Sequence, residues 1–465
     1  MFSNLSQTPV SRKTLELQPL DFFLLTVGAA LVLAYIGAFI LKKLGIPQTL
    51  GFMLAGVVLG LTAILTEQTI HDLQFFVALA LGLIGYNVGH ELSNPNLTRG
   101  RIRKLIIIVL IEATAAFALV AFLTFMILSS VGFPQAFPTA ILFGAVASAT
   151  APAATADVVW ECACGGPVTS SLMFVLAADD IVAVILTNSA IAFALWVYVP
   201  DSMAFTSVIF EPVIGIFFSV ILGIAFGLIF LYPVNIEKDR GILLELEIGM
   251  VILLIGVIEF LNGFFESQGL LIQISDIFAA MVFGYLVRSR ISHDKEQVPE
   301  LLERVMAPIV MIFFVMVGGR MAQLLTTCET LFLIIITAAL YLGGRTFGKY
   351  FGTSIGGRIV NEVPAIQKYL GRCLLCQAGV ALGLSFIIEE TFVALGGDAQ
   401  TMGLLILGVV ALSTMVLEIV GPMAVRRSLV SASECPACRE AFDSHEDTLL
   451  DVSDNRTHTK LDDDE

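Results

Sequence analysis

Charge is what this chain has least of. Asp, Glu, Lys and Arg make up 14% of its 465 residues, against roughly 25% in an average soluble domain, while 57% are hydrophobic. A soluble globular fold is excluded. Polar and low-complexity runs are also scarce before the end of the chain, which excludes a largely disordered protein and a coiled coil. Basic residues number 25 against 40 acidic ones, a net charge of -15 that argues against a nucleic-acid partner. Much of that acidity sits in the closing DSHEDTLLDVSDNRTHTKLDDDE, which reads as a solvated, disordered tail. Seven Cys do not make a disulfide scaffold. Cys162, Cys164, Cys328, Cys373 and Cys376 lie in or near apolar text, where a small buried thiol is the expected state. Cys435 and Cys438 form one CPAC, half a zinc site at most. The opening MFSNLSQTPVSRKTLELQPL lacks the charged start, short apolar core and small-residue cleavage site of a signal peptide, so the first span is expected to be a retained helix. Three matches to the glycosylation sequon, at Asn4, Asn96 and Asn455, are read as chance.

What the chain does have is apolar stretches from start to finish, each long enough to cross a ~30 Å hydrocarbon core as a helix. Windows of ~20 residues give about thirteen spans, centred near Val32, Leu54, Leu81, Ala116, Ala147, Val184, Val220, Leu253, Met281, Phe313, Ile335, Ala381 and Val409. With the N-terminus outside, Lys and Arg fall on alternate loops: Lys42 and Lys43, then the cluster from Arg99 to Lys104, and so on to Arg426 and Arg427. The other loops carry none. That parity obeys the positive-inside rule and puts the C-terminus in the cytoplasm of a multi-pass cell-membrane protein.

An internal repeat is visible at long period. Leu54-Ala-Gly56 recurs as Val282-Phe-Gly284 about 228 residues later, and Asn87-Val-Gly89 as Met316-Val-Gly318 about 229 later. Seven spans separate the mates, an odd number, so the halves insert with opposite orientation. Inverted repeats favour a transporter, because opposed halves can rock about a central site.

An ionisable group near the bilayer centre is expensive unless it faces protein, water or a partner, so each one is a functional candidate. Asp179 and Asp180 stand near the middle of the sixth span, MFVLAADDIVAVILTNSAIAF. Neighbours on a helix point ~100° apart, so one carboxylate can face a cavity while the other faces a partner. Like charges this close resist ionising together, which suits a site that takes up and releases protons. In the preceding span, AILFGAVASATAPAATADVV, Pro152 is expected to break the helix. Ser148, Thr150 and Thr155 flank the break with hydroxyls, and the freed carbonyls can coordinate a cation that a carboxylate neutralises. The mate of this helix, CLLCQAGVALGLSFII, has Gln377, Gly379 and Gly383 where a second interruption is expected, although glycine also serves close helix packing.

Arg345 and Glu112 lie at similar depth in the eleventh and fourth spans, and an ion pair between them is expected, with Asp179 the other acid open to Arg345. Lys349, one turn nearer the cytoplasm, is expected to snorkel to the surface. Asp157, Asp276, Glu259 and Glu418 are acids near span ends, where interfacial solvation is expected; Asp276 is the deepest of them.

These pieces resemble the monovalent cation:proton antiporters, in the branch with two adjacent aspartates. The resemblance is carried by Leu44-Gly-Ile-Pro47 leading into GFMLAGVVLG, IGYNVGHEL, ASATAPAAT, CGGPVTSSLMFVLAADDIVAVI, APIVMIFFVMVGG, RTFGKYFG and LGRCLLCQAGVALGLS, in the family's order from Leu20 to Val425. It implies an all-α polytopic membrane protein of thirteen helices, with two inverted-topology repeats and crossed broken helices. It also implies a dimerisation part (about 20–92 and 241–325), a core part (about 104–198 and 329–425), a linker helix (about 205–232) and homodimers in the cytoplasmic membrane. Residues 1–19 would then be an extracytoplasmic segment and 426–465 an acidic cytoplasmic tail. By the resemblance, Asp180 is the shared ligand for the transported cation, such as sodium, and for the proton; Asp179 is its partner and Thr150 contributes at the crossing. Relatives with the double aspartate often carry a lysine opposite the first one, whereas here the deep basic residue reads as Arg345. Potassium-efflux relatives end in a nucleotide-binding regulatory domain; no G-x-G-x-x-G follows a strand pattern here, so none is expected.

The expected function is exchange of a monovalent cation, sodium or lithium before potassium, for protons, with membrane lipid as surroundings and no cofactor. The chain is not expected to be an enzyme. An intramembrane aspartyl protease needs two aspartates on separate helices around one water, which adjacent Asp179 and Asp180 cannot supply. A cation-coupled symporter of the same architecture is the alternative, but an organic anion calls for basic groups at the centre, where this text is acidic and hydroxylic.

Overall fold

The computed structural model describes residues 19–436 and 438, apart from short breaks at 44–45, 63, 66, 93–97, 199–204, 237–238, 269, 271, 291–297 and 325–327. The N-terminal segment, the three sequons and the acidic run after 438 lie outside the described residues. Sixteen helices, and no strand, make up what is described. In chain order they are α1 (Pro19–Lys43), α2 (Gln48–Leu61), α3 (Glu67–Asp72), α4 (Gln74–Leu92), α5 (Arg99–Ser130), α6 (Ala136–Ala147), α7 (Pro152–Glu161) and α8 (Pro167–Tyr198). The second half continues with α9 (Phe205–Ile236), α10 (Arg240–Ser267), α11 (Asp276–Arg290), α12 (Val298–Leu324), α13 (Cys328–Ile359), α14 (Pro364–Cys373), α15 (Gly379–Val393) and α16 (Gly397–Ser431). Eight are long and apolar enough to cross a membrane by length and composition, and α2, α4 and α6 are shorter apolar helices. Large apolar side chains point outward, among them Tyr232 (75% exposed), Phe260 (73%) and Phe332 (71%). Where backbone groups are tied up in helices, such an outer surface suits lipid.

The helices pack in two groups. One joins α1, α2 and α4 with α10, α11 and α12; the other joins α5 to α8 with α13 to α16. Within the first, the repeat seen in the sequence becomes a pair of matching crossings. A methyl added to Gly56 of α2 would lie 2.0 Å from the Val315 carbonyl of α12, and one on Gly318 of α12 would lie 2.1 Å from the Met53 carbonyl of α2. Their repeat mates do the same: Gly284 of α11 meets the Tyr86 carbonyl of α4 at 2.1 Å, and Gly89 of α4 meets the Met281 carbonyl of α11 at 2.0 Å. Both crossings therefore bring backbone against backbone, which only glycine permits.

In the second group α13 lies on α5 along a glycine stripe. Gly344, Gly348, Gly352 and Gly356, one per turn, face Val120, Ala116, Glu112 and Ile108, so the two helices run in contact over four turns. Two helices of this group are interrupted. Residues 148–151 separate α6 from α7, with Pro152 at the first position of α7, where its missing N–H goes unneeded. Residues 374–378 separate α14 from α15. The interruptions cross, and Ala151 N–H donates to the Cys376 carbonyl at 3.0 Å. Gly379 opens α15 at the second break. Gly383 does not belong to the break; it lies a turn inside α15, and an added methyl would strike Leu81 of α4 at 2.1 Å. Its role is close packing between the two groups.

Two expectations about the C-terminal side fail. Helix α16 runs to Ser431, and the residues after it fold back on the core instead of starting a solvated tail at 426. The Glu434 carboxylate accepts hydrogen bonds from Val168 N (2.8 Å), Thr169 N (2.7 Å) and Thr169 Oγ1 (2.7 Å), capping α8. The cysteines there are not isolated thiols: Cys162 is joined to Cys438 and Cys164 to Cys435 as two disulfides, while Cys373 and Cys376 are free and buried. The pairing spans more than 270 residues of sequence, a distance at which spacing gives no signal.

Candidate functional site

The crossing of the two breaks is surrounded by five charged side chains with no exposed surface: Glu112 on α5, Asp179 and Asp180 on α8, and Arg345 and Lys349 on α13. Asp179 and Asp180 sit near the middle of a 32-residue helix, so their burial is fixed by α8 passing beside the first break. Thr150, in that break, touches both. Its hydroxyl donates to Asp179 Oδ2 at 2.7 Å and its amide to Asp180 Oδ1 at 3.3 Å. The ~100° between neighbouring helix residues thus turns the two carboxylates to opposite ends of one Thr. The Ser148 hydroxyl is not aimed at them; it donates to the Ala145 carbonyl at 2.6 Å, and the residue offers its own carbonyl to the site instead.

The basic residues correct two expectations. Lys349 does not snorkel. Its ammonium lies within hydrogen-bonding distance of Glu112 Oε1 (3.0 Å), Asp179 Oδ2 (2.8 Å), Thr150 Oγ1 (3.1 Å) and the Ser148 carbonyl (2.5 Å), which share its three N–H groups. Glu112 therefore pairs with Lys349 and not with Arg345. Arg345 pairs with neither Glu112 nor Asp179; its guanidinium donates to the carbonyls of Leu375 (2.8 Å), Ala149 (2.8 Å) and Cys376 (3.2 Å). These carbonyls lose their helical partners at the two breaks, and the planar fork of five donors on a guanidinium serves several of them at once. The lysine opposite the first aspartate, missing in the sequence reading, is Lys349.

The glycine stripe is the signal that would have found it. Arg345, Lys349 and Thr353 each follow a stripe glycine and recur every fourth residue, so they share one face of α13, and all three are fully buried. Tyr341 begins the same row. Its hydroxyl accepts from Gln377 Nε2 at 2.8 Å, and Gln377 also reaches the Val146 carbonyl at 3.4 Å. One helix face thus tacks both breaks in place. Of the acids expected at span ends, Asp157 and Glu259 are exposed and Asp276 opens α11 half-buried. Glu418 is 2% exposed and accepts from the Thr49 hydroxyl of α2. Arg320 of α12 approaches Glu389 of α15 at 3.4 Å.

Counted as ionised, three carboxylates against two basic groups give the cluster a formal charge of one negative, with none of the five side chains exposed. A buried net charge is costly unless a counterion or a proton neutralises it, and this one stands beside two breaks that expose carbonyl and hydroxyl oxygens, the ligands a hard cation takes.

Comparison with known proteins bears on the family and the fold. The family model described as sodium/hydrogen exchanger, transmembrane, matches residues 28–426. Among solved structures, the sodium proton antiporter MjNhaP1 from Methanocaldococcus jannaschii at pH 8 superposes with a TM-score of 0.67 at 18% identity, covering 88% of this chain and 98% of that one. A second structure of MjNhaP1, from an electron-microscopy map, gives a TM-score of 0.65 at 18% identity, covering 90% and 96%. A search of the curated proteins finds no match.

Proposed function

Because this chain belongs to the sodium/hydrogen exchanger family, and so exchanges a monovalent cation for protons across a membrane, we propose that the exchange runs through Asp180 and Asp179 at the crossing of the two broken helices. The observation that carries this reading is the meeting of three carboxylates, Glu112, Asp179 and Asp180, with two basic groups, Arg345 and Lys349, at the crossing of the two breaks, all fully buried. A sodium or lithium ion neutralises their formal charge of one negative, and so does a proton. Only one of them is needed at a time, which makes their binding mutually exclusive and gives exchange instead of leak.

The cation sits with Asp180, Asp179 and the oxygens of the 148–151 break as ligands. Lys349 competes there. Its ammonium is 2.8 Å from Asp179 Oδ2, so an arriving cation meets a positive charge on the same carboxylate, and loss of a proton from the cluster relieves the repulsion. Arg345 holds the breaks open by taking their carbonyls. An organic-anion symporter finds no support, since both buried basic groups are already engaged.

Around this site, thirteen membrane segments result when α6 with α7 and α14 with α15 each count as one broken segment and the six-residue α3 is set aside. The group containing the breaks acts as the moving core, the group of α1, α2, α4 and α10 to α12 as the scaffold and homodimer contact, and α9 as the linker. On this reading the N-terminus lies outside and the C-terminus in the cytoplasm, and the Lys and Arg on alternate loops support it. Purified protein in liposomes on a solid-supported membrane tests the function directly: sodium or lithium jumps across a range of pH are expected to give transient currents or coupled proton movement. A response to neither ion at any pH would refute it.

A further inference from the structure

Four of the seven cysteines meet where α7 and α16 end, and none of them contacts the ion site's charged side chains. Cys162 and Cys164 occupy the tight turn that leaves α7, with Ala163 between them at φ 48°. Cys435 and Cys438 follow the turn that leaves α16, where Ser433 stands at φ 61°. Non-glycine residues rarely adopt such values without something to hold them there. Both turns are fastened: Cys164 N–H donates to the Val159 carbonyl at 2.9 Å, Glu434 N–H to the Leu429 carbonyl at 3.1 Å, and Gly165 N–H to the Glu434 carbonyl at 2.8 Å, which ties one turn to the other.

The pairing is between turns and never within one. Cys162 faces Cys438 with Cα atoms 5.2 Å apart, and Cys164 faces Cys435 at 4.1 Å. Each turn gives one sulfur to each pair, so the four sulfurs share one small volume. Cys162, Cys435 and Cys438 are 0%, 2% and 6% exposed. The acid at hand, Glu434, is occupied in capping α8, so the donor set is sulfur alone.

On the orientation proposed above, this cluster lies on the cytoplasmic side with Arg426 and Arg427, where cellular thiols are kept reduced and disulfides are rare. Cys-x-Cys facing Cys-x-x-Cys then presents four soft ligands from two turns, the arrangement a structural zinc site uses, with tetrahedral coordination and no open position. We infer that in the reduced protein Cys162, Cys164, Cys435 and Cys438 bind one zinc ion as a structural tetrathiolate centre. Cellular thiols first open the two disulfides, two electrons and two protons going to each while the donor thiols become disulfides; the four Cys thiols then release their protons as four Zn–S bonds form, a step that transfers no electron. A basic residue stands on the same loop: Arg101 donates to the Pro167 carbonyl and the Ser171 hydroxyl, both at 2.9 Å. The centre would clamp the end of α7 to the end of α16. Since α7 starts at Pro152 beside the ion site, the clamp fixes the far end of the helix whose near end lines the break.

The test is metal content and thiol state of the full-length protein, purified under reducing conditions without chelator. About one zinc per chain is expected by elemental analysis, with X-ray absorption showing four sulfurs at ~2.3 Å. Cys435→Ser/Cys438→Ser should lose the metal; Cys373→Ser, a buried thiol outside the quartet, should keep it, and so should Asp180→Asn, which separates this result from any failure of transport. Should the double variant fail to fold, chelation of the wild type answers instead: removing zinc should open four thiols to alkylation without added reductant. A wild type with no stoichiometric metal, or a quartet alkylated only after a disulfide is reduced, would overturn the inference.

Discussion

Lys349 is the residue on which the site's electrostatics turn. It holds two carboxylates of different helices, and its removal leaves Glu112 and Asp179 buried without a cation. Breaking a buried pair in this way costs about 3–5 kcal/mol, so Lys349→Met should lower the melting temperature in detergent well below that of Asp179→Asn, which removes one acid and leaves the ammonium paired with Glu112. Equal melting temperatures would mean the contact contributes nothing. The aspartates, Thr150 and the break at Pro152 were legible in the sequence because a charge or a proline in the middle of apolar text is a local contradiction. Lys349 was not, because its distance from a span end gives depth only if the helix is straight and centred. Here the close approach of α13 to α5 decides which way the side chain points. Arg345 misled for a related reason: the sequence offers it an acid, and the structure offers it three carbonyls freed by two breaks.

The glycine stripe of α13 is the element that sets this geometry. A methyl on Gly348 would lie 2.5 Å from Ala116 Cα, and one on Gly352 would lie 2.5 Å from Glu112 Cα. Backbone cannot yield as a side-chain tip can, so Gly348→Val should push the helices apart and cost about 1–3 kcal/mol, with a matching loss of transport as Lys349 leaves Asp179. Gly343→Ala, where nothing lies within 4 Å, is the control and should change stability by less than about 0.5 kcal/mol. Thermal melts and flux assays of both variants check the pair; equal behaviour would remove the stripe's special role. The two crossings, of α2 on α12 at Gly56 and Gly318 and of α11 on α4 at Gly284 and Gly89, were visible as a weak repeat, since glycine cannot be replaced where backbones touch. The cysteine cluster was invisible, since its halves lie more than 270 residues apart in the chain.

At the scale of the molecule, two groups of helices must move against each other for a central site to face either side in turn. The described contacts between them include Arg320 of α12 with Glu389 of α15, and Thr49 of α2 with Glu418 of α16. The first pair should couple the groups: in a double-mutant cycle of Arg320→Gln and Glu389→Gln, the melting temperatures should be non-additive by an amount equivalent to about 0.5–3 kcal/mol. Additive losses would show that the two side chains act separately. The transport claim itself rests on one carboxylate that holds either a cation or a proton. Sodium-driven proton flux in proteoliposomes containing Asp180→Asn measures this most directly. The variant, whose amide can neither bind the cation with a charge nor carry the proton, should show no flux above protein-free liposomes while wild type shows a saturable one; a saturable flux in the variant would contradict the assignment.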